Sequence, residues 1–269
     1  MFNQITLTLL KKMNILSIGG TMFDFNNLNP VLLSLIAGTI TFLITSLGSS
    51  IVFFFKKSNQ IIHEAMLAFS AGIMIAASFF SLILPAIETE NINIIYPTIV
   101  GFILGTILLF LLEKLCSKLQ NKKSLLLLFS ITLHNIPEGL AIGVAFGTLA
   151  KVNIGAAIAV ALGIGLQNFP EGAAVSLPLL KEGYSKTKAF IYGSLSAIVE
   201  PIFACIGAYL VTKVQLLLPY MLMFAASAMI FVSITELIPE SQRSQKKDIM
   251  SIVFMIGFLI MTLLDLIFS

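Results

Sequence analysis

The sequence predicts an all-α integral membrane protein with eight transmembrane helices. Three observations carry that expectation. The chain has 269 residues, of which 58% are hydrophobic and only 11% charged, and its mean hydropathy is +1.01. A soluble domain has about 25% charged residues, and a chain this apolar would expose patches large enough to aggregate in water. The apolar residues also fall into long runs with short polar breaks, and a spanning helix needs roughly 20 of them. Finally, the basic residues gather in alternate breaks.

The runs place spans near 30–55, 64–87, 94–113, 124–149, 153–180, 188–212, 216–240 and 249–268. Residues 1–29 form a mixed N-terminal tail, interfacial or disordered, and residues 30–269 one transmembrane domain. In the tail Lys11 and Lys12 follow an apolar start, the reverse of a signal peptide's order. Breaks after spans one, three, five and seven carry Lys56 and Lys57; Lys114, Lys118, Lys122 and Lys123; Lys181, Lys186 and Lys188; Arg243, Lys246 and Lys247. The remaining basic residues are Lys11, Lys12, Lys151 and Lys213. Because cytoplasmic loops carry the excess of Lys and Arg, those four breaks lie inside and both termini outside a multi-pass protein of the cell membrane. No basic tract points to nucleic acid. Cys116 and Cys205 form no CxxC pair and read as packing residues. Ala71–Ala86 (AGIMIAASFFSLILPA) and Ala225–Glu240 (AASAMIFVSITELIPE) resemble each other on oppositely directed spans, the pattern of an inverted repeat.

Ionisable groups inside apolar runs are the informative exceptions, since each costs roughly 2.5–3.5 kcal/mol at mid-bilayer. Glu138, Glu171, Glu200 and Glu236 lie within spans, His134 is the embedded histidine, and no Lys or Arg lies deep in a span to pair with them. Such acids need protons or a bound cation. In span four, His134 and Glu138 of HNIPEG are four residues apart and share a helical face, with Asn135 three before Glu138. Imidazole, carboxylate and amide oxygen together suit a borderline divalent ion such as zinc. Span five repeats the device as QNFPEG, where Gln167 and Glu171 share a face and Asn168 is three before Glu171. Pro137 and Pro170 lack the N–H that would bond the carbonyls of Leu133 and Leu166, which is tolerable where a helix lines a cavity.

The pair HNIPEG and QNFPEG resembles the metal-site motifs of the ZIP (Zrt/Irt-like) metal transporters, closest to their GufA-like bacterial branch. The similarity runs from Ala68 to Asp265. It implies eight spans with both termini outside, in agreement with the charge bias, a homodimer, and transport of zinc or related divalent ions (iron(II), manganese, cadmium) toward the cytoplasm, with no prosthetic group. It also implies a two-metal centre. His134, Glu138, Gln167 and Glu171 match the first position; Asn135, Asn168 and Glu200 match the second, with Glu138 and Glu171 placed to bridge. Met74 matches a thioether beside the first position, and Ser81, Glu236 and Asp265 match polar residues along the pathway. Met74 also reads as plain core, Ser81 as bonding its own backbone and Asp265 as an interfacial charge.

Two departures from the family pattern stand out. Asn168 occupies a position where some members have Asp, which removes a charge from the second position. The break between spans three and four holds about a dozen residues and no histidine, unlike the long His-rich loop of some members. His63 reads as an exposed histidine at the membrane edge. Two other functions compete: a transporter or channel for another cation, which the embedded acids allow, and an intramembrane metalloprotease, which lacks its HExxH order because Asn135 follows His134.

Overall fold

The computed structural model describes residues 28–54, 60–89, 93–119, 123–149 and 154–268, without the side chains of 116–119, 123–131 and 149. The N-terminal tail up to residue 27, Lys56, Lys57, Lys122 and Lys151 lie outside the described residues, as does the Cys116 side chain.

Every regular element among the described residues is helical. Helix α1 runs Pro30–Ser49 and ends in a 3-10 turn, Ser50–Phe53. Asn29 starts it: its Oδ1 accepts from the Val31 N–H at 2.9 Å, and Pro30 sits where its missing N–H costs nothing. Helix α2, Gln60–Ala77, continues through a π-helical turn, Ser78–Ile83, into a short helix, Leu84–Ile87. Helix α3 is Ile95–Leu119; α4 is Lys123–Val144, with a π-helical turn at Ala145–Leu149; α5 is Ile154–Lys181. The sixth expected span is two helices, α6 (Lys186–Leu195) and α7 (Val199–Lys213), separated at residues 196–198. Helix α8, Leu218–Val232, again passes through a π-helical turn, Ser233–Leu237, into a short helix, Ile238–Ser241, and α9 is Lys247–Phe268.

Seven helical stretches among the described residues are long and apolar enough to cross a membrane: Pro30–Phe53, Gln60–Ile87, Ile95–Leu115, Ile154–Lys181, Lys186–Lys213, Gln215–Ser241 and Lys247–Phe268. The run expected at 124–149 is α4 with its π-helical turn. Expected and observed ends agree to within a few residues, apart from α2, which begins four residues early, and α3, which runs six residues past Glu113.

The helices pack in two groups. α1, α4, α5 and α7 lie against one another through the pairs α1–α5, α4–α7 and α1–α7; α2 packs on α9, and α3 on α8. Contacts of α2 with α5 and of α4 with α8 join the groups. Without a hydrophobic drive between helices in lipid, close backbone approach carries much of this packing. A Cβ at Gly72 would fall 2.0 Å from the Phe254 carbonyl oxygen of α9, and one at Gly257 would fall 2.3 Å from that of Phe69. Leu43, Ile103, Leu111, Ile252 and Leu259 are exposed on the outside, as a lipid-facing surface requires.

Candidate metal centre

The two hexapeptides sit inside continuous helices, with Pro137 within α4 and Pro170 within α5. Their final glycines are contact points. A Cβ on Gly139 would lie 2.6 Å from the Glu200 carbonyl oxygen and 2.9 Å from its Cα; one on Gly172 would lie 2.0 Å from the Thr45 carbonyl oxygen. The glycines therefore let α4 touch the start of α7, and α5 touch α1, backbone against backbone. The first contact carries Glu200, in the first turn of α7, to the hexapeptide of α4. The break at residues 196–198 helps: Asn135 Nδ2 donates to the Ser196 carbonyl oxygen at 2.8 Å.

His134, Asn135, Glu138, Gln167, Asn168, Glu171 and Glu200 are all buried, none more than 4% exposed. Their amide nitrogens are spent on one another's neighbours. Gln167 Nε2 donates to Glu138 Oε1, and Asn168 Nδ2 donates to both carboxylate oxygens of Glu200, each at 2.9 Å. The Thr41 hydroxyl of α1 lies against the same Glu200 carboxylate. What remains is a set of acceptors: Glu138 Oε2, Gln167 Oε1, Asn168 Oδ1 and both carboxylate oxygens of Glu171 are buried with no hydrogen-bond partner. Leaving a buried acceptor unmade costs about 1–3 kcal/mol, more for a charged group. Five such oxygens from four residues, with no cationic side chain among them, are a set of donors that a cation could satisfy.

His134 faces a second group. Its Nε2 is 3.4 Å from Glu236 Oε1 and 4.0 Å from Glu113 Oε1, and one ligand atom from each of the three lies within 4.8 Å of the others. Glu171 is close enough to His134 to interact electrostatically, so the imidazole stands between the oxygen set and this pair of half-buried carboxylates. Glu113 was missed in the sequence because it falls where the apolar run of span three ends; its signal was a carboxylate just before the basic residues of that break.

Ser81 and Asp265, 184 residues apart, meet: the Ser81 hydroxyl donates to Asp265 Oδ1 at 3.0 Å. Ser81 and Glu236 each sit in a π-helical turn, a distortion frequent at functional sites. Met74 is buried in the core cluster, four residues from Ser70, whose hydroxyl donates to the Gln167 carbonyl oxygen at 3.1 Å; this spacing puts Met74 on the helical face turned to α5. His63 is a correction: it is 9% exposed with Nδ1 unpartnered, because α2 starts at Gln60 and the short helix Ile238–Ser241 packs on it.

A family model described as ZIP Zinc transporter matches residues 120–265, over half of the chain. The chain belongs to the ZIP family. Its relatives include zinc transporter ZIP11 of Xenopus tropicalis, 33% identical over an alignment covering 88% of this chain and 97% of that protein. Zinc transporter GufA of Myxococcus xanthus is 37% identical, covering 53% of this chain and 55% of that protein. Zinc transporter ZIPB of Bordetella bronchiseptica is 32% identical, covering 86% and 80%. These relatives are named as transporters, not enzymes, and the matched ZIP region contains both hexapeptides together with Glu200, Glu236 and Asp265.

Proposed function

We propose that this chain transports divalent metal ions, zinc foremost, across the cell membrane toward the cytoplasm. The five partnerless buried oxygens of Glu138, Gln167, Asn168 and Glu171 carry this reading. They lie inside helices long enough to span a bilayer, where water is not at hand to satisfy them, and cations bound at the first and second positions of the centre satisfy them instead. Zinc fits the N and O donors, and the affinity order places it above iron(II) and manganese. Membership of the ZIP family and the names of its relatives support the same cargo.

Eight spans with both termini outside give the path a direction. The basic breaks then put Glu113 and Glu236 near the inner ends of spans three and seven, and Ser81 and Asp265 near the outer ends of spans two and eight. An ion passes the Ser81–Asp265 pair, is held by Glu138, Gln167 and Glu171, and is handed by His134 to Glu113 and Glu236 on the cytoplasmic side. Asn135, Asn168 and Glu200 make a second position of the centre, and Met74 flanks the first. Because Asn168 already holds both Glu200 oxygens, the second position is the weaker.

An inverted repeat of spans two and seven is supported by their shared distortion. Aligning Ala71 with Ala225 superimposes the turn Ser78–Ile83 on residues 232–237, and Pro85 on Pro239. The chain works as a homodimer. Radiozinc uptake into proteoliposomes with a metal-free lumen, with unlabelled zinc, iron(II), manganese and cadmium as competitors, tests the function: uptake is expected, with unlabelled zinc the strongest competitor. Liposomes that exclude zinc but accumulate another cation would refute it.

A further inference from the structure

A cavity of about 570 Å³ opens between α1 and α5, within the range of about 300–1,000 Å³ that holds small-molecule ligands. Its lining runs along α1 from Leu33 to Ile44 and along α5 from Ile154 to Pro170, and Phe69 of α2 and Phe146 of the turn after α4 join it. The α5 side alone is roughly 24 Å long at the helical rise, more than half of a hydrocarbon core about 30 Å thick. Thr41 is the one polar side chain in the lining, and its hydroxyl bonds the Gly38 carbonyl oxygen at 3.0 Å. Water needs two to four polar partners to be held in a cavity, and this one supplies none that is free. Left empty, the lining loses its dispersion contacts.

We propose that this groove holds one acyl chain of a membrane phospholipid. The groove is continuous with the lipid-facing surface: Ile36, Ile40, Leu162 and Leu166 line it and are also exposed, at 48%, 52%, 42% and 42%. An occupant therefore enters sideways from the bilayer with its headgroup left at the interface. Phe169 and Pro170 belong to the lining and stand between Asn168 and Glu171, so the chain end rests on the segment that carries the proposed metal ligands. The seat is independent of which ion the centre carries.

The test uses the full-length protein in liposomes containing a phosphatidylcholine with a photoreactive diazirine near the end of one chain, followed by mapping of labelled peptides. Label concentrated on α1 and α5 around Ile44, Leu166 and Phe169, where the chain end rests, is expected. It is expected to be lost in Ala161→Phe, which fills the groove, and in Ile40→Trp, which covers its rim and is better tolerated because Ile40 is exposed. Label on Ile103 and Ile107 of α3, ordinary lipid-facing positions, stays constant in both variants. Label spread evenly over all lipid-facing helices, or undiminished in both variants, overturns the proposal. So does a crosslink between two protein chains formed by a photoreactive amino acid placed at Ile36 or Ile40, which would make a second copy the occupant.

Discussion

Gly172→Ala isolates the contact that seats the second hexapeptide. The new Cβ would fall 2.0 Å from the Thr45 carbonyl oxygen, 2.9 Å from the Ser49 nitrogen and 3.0 Å from Ser49 Oγ. Two of these atoms are α1 backbone, so no side-chain rotation relieves the clash. The helices must separate by more than about 1 Å to restore an ordinary contact of roughly 3.5 Å. Overpacking of this kind costs typically about 1–3 kcal/mol. The separation also stretches the bond from the Ser49 hydroxyl to the Gly172 carbonyl oxygen, now 3.1 Å, which contributes about 1 kcal/mol. The expected loss is about 2–4 kcal/mol, or roughly 5–15 °C in the unfolding midpoint of a chain this size. Zinc uptake falls with it, because Glu171 is the adjacent residue. Gly165→Ala is the control: its Cβ meets only the tip of Ile44, at 2.9 Å, and a methyl group 3.9 Å away, so the Ile44 side chain turns aside. Thermal unfolding in detergent and uptake in proteoliposomes decide the matter. If Gly172→Ala were as stable and active as Gly165→Ala, the backbone contact would not position the site.

Other outcomes follow from the same geometry. A cysteine placed at Lys246 is expected to react with an impermeant thiol reagent from the cytoplasmic side only; labelling from outside overturns the topology. Asn168→Asp replaces the donor that holds Glu200 with a like charge, which a second cation must neutralise. Zinc counting on the purified variant is expected to find one further ion per chain, and an unchanged count contradicts the reading of Asn168 as the group that weakens the second position. Protons compete with metal for Glu138, Glu171 and the imidazole of His134. Zinc binding is thus expected to weaken as pH falls, and affinity that stays flat on acidification counts against carboxylate ligands.

Much of this architecture is legible in the residues because lipid imposes a simple rule. Apolar runs must be helices, and the exceptions inside them, His134, Glu138, Glu171 and Glu200, stand out against that background. Spacing of four residues also puts Gln167 beside Glu171 without any coordinates. What stays hidden depends on backbone detail that composition does not encode. The π-helical turns that carry Ser81 and Glu236 stand just before Pro85 and Pro239, and the break at residues 196–198 just before Pro201, whereas α4 and α5 run unbroken through Pro137 and Pro170; a proline marks a weak point in a helix but not which distortion follows. Glu113 looks like a boundary residue until α3 is seen to continue to Leu119. His63 looks exposed because it starts a helix, and only the packing of Ile238–Ser241 on α2 buries it. Asn168 shows its role only in three dimensions, where its nitrogen is committed to Glu200 and its oxygen is not.

The account stands on the carboxylates of Glu138 and Glu171, three of whose oxygens lie buried without a partner. Each →Gln variant keeps the shape, removes a negative charge and introduces donors where a cation is to sit. The direct measurement is zinc uptake by Glu138→Gln and Glu171→Gln in proteoliposomes, with monodisperse size-exclusion elution showing that each variant is folded. Uptake at the level of empty liposomes is predicted for both. Near-normal uptake in both folded variants would mean that the metal takes another path through the protein.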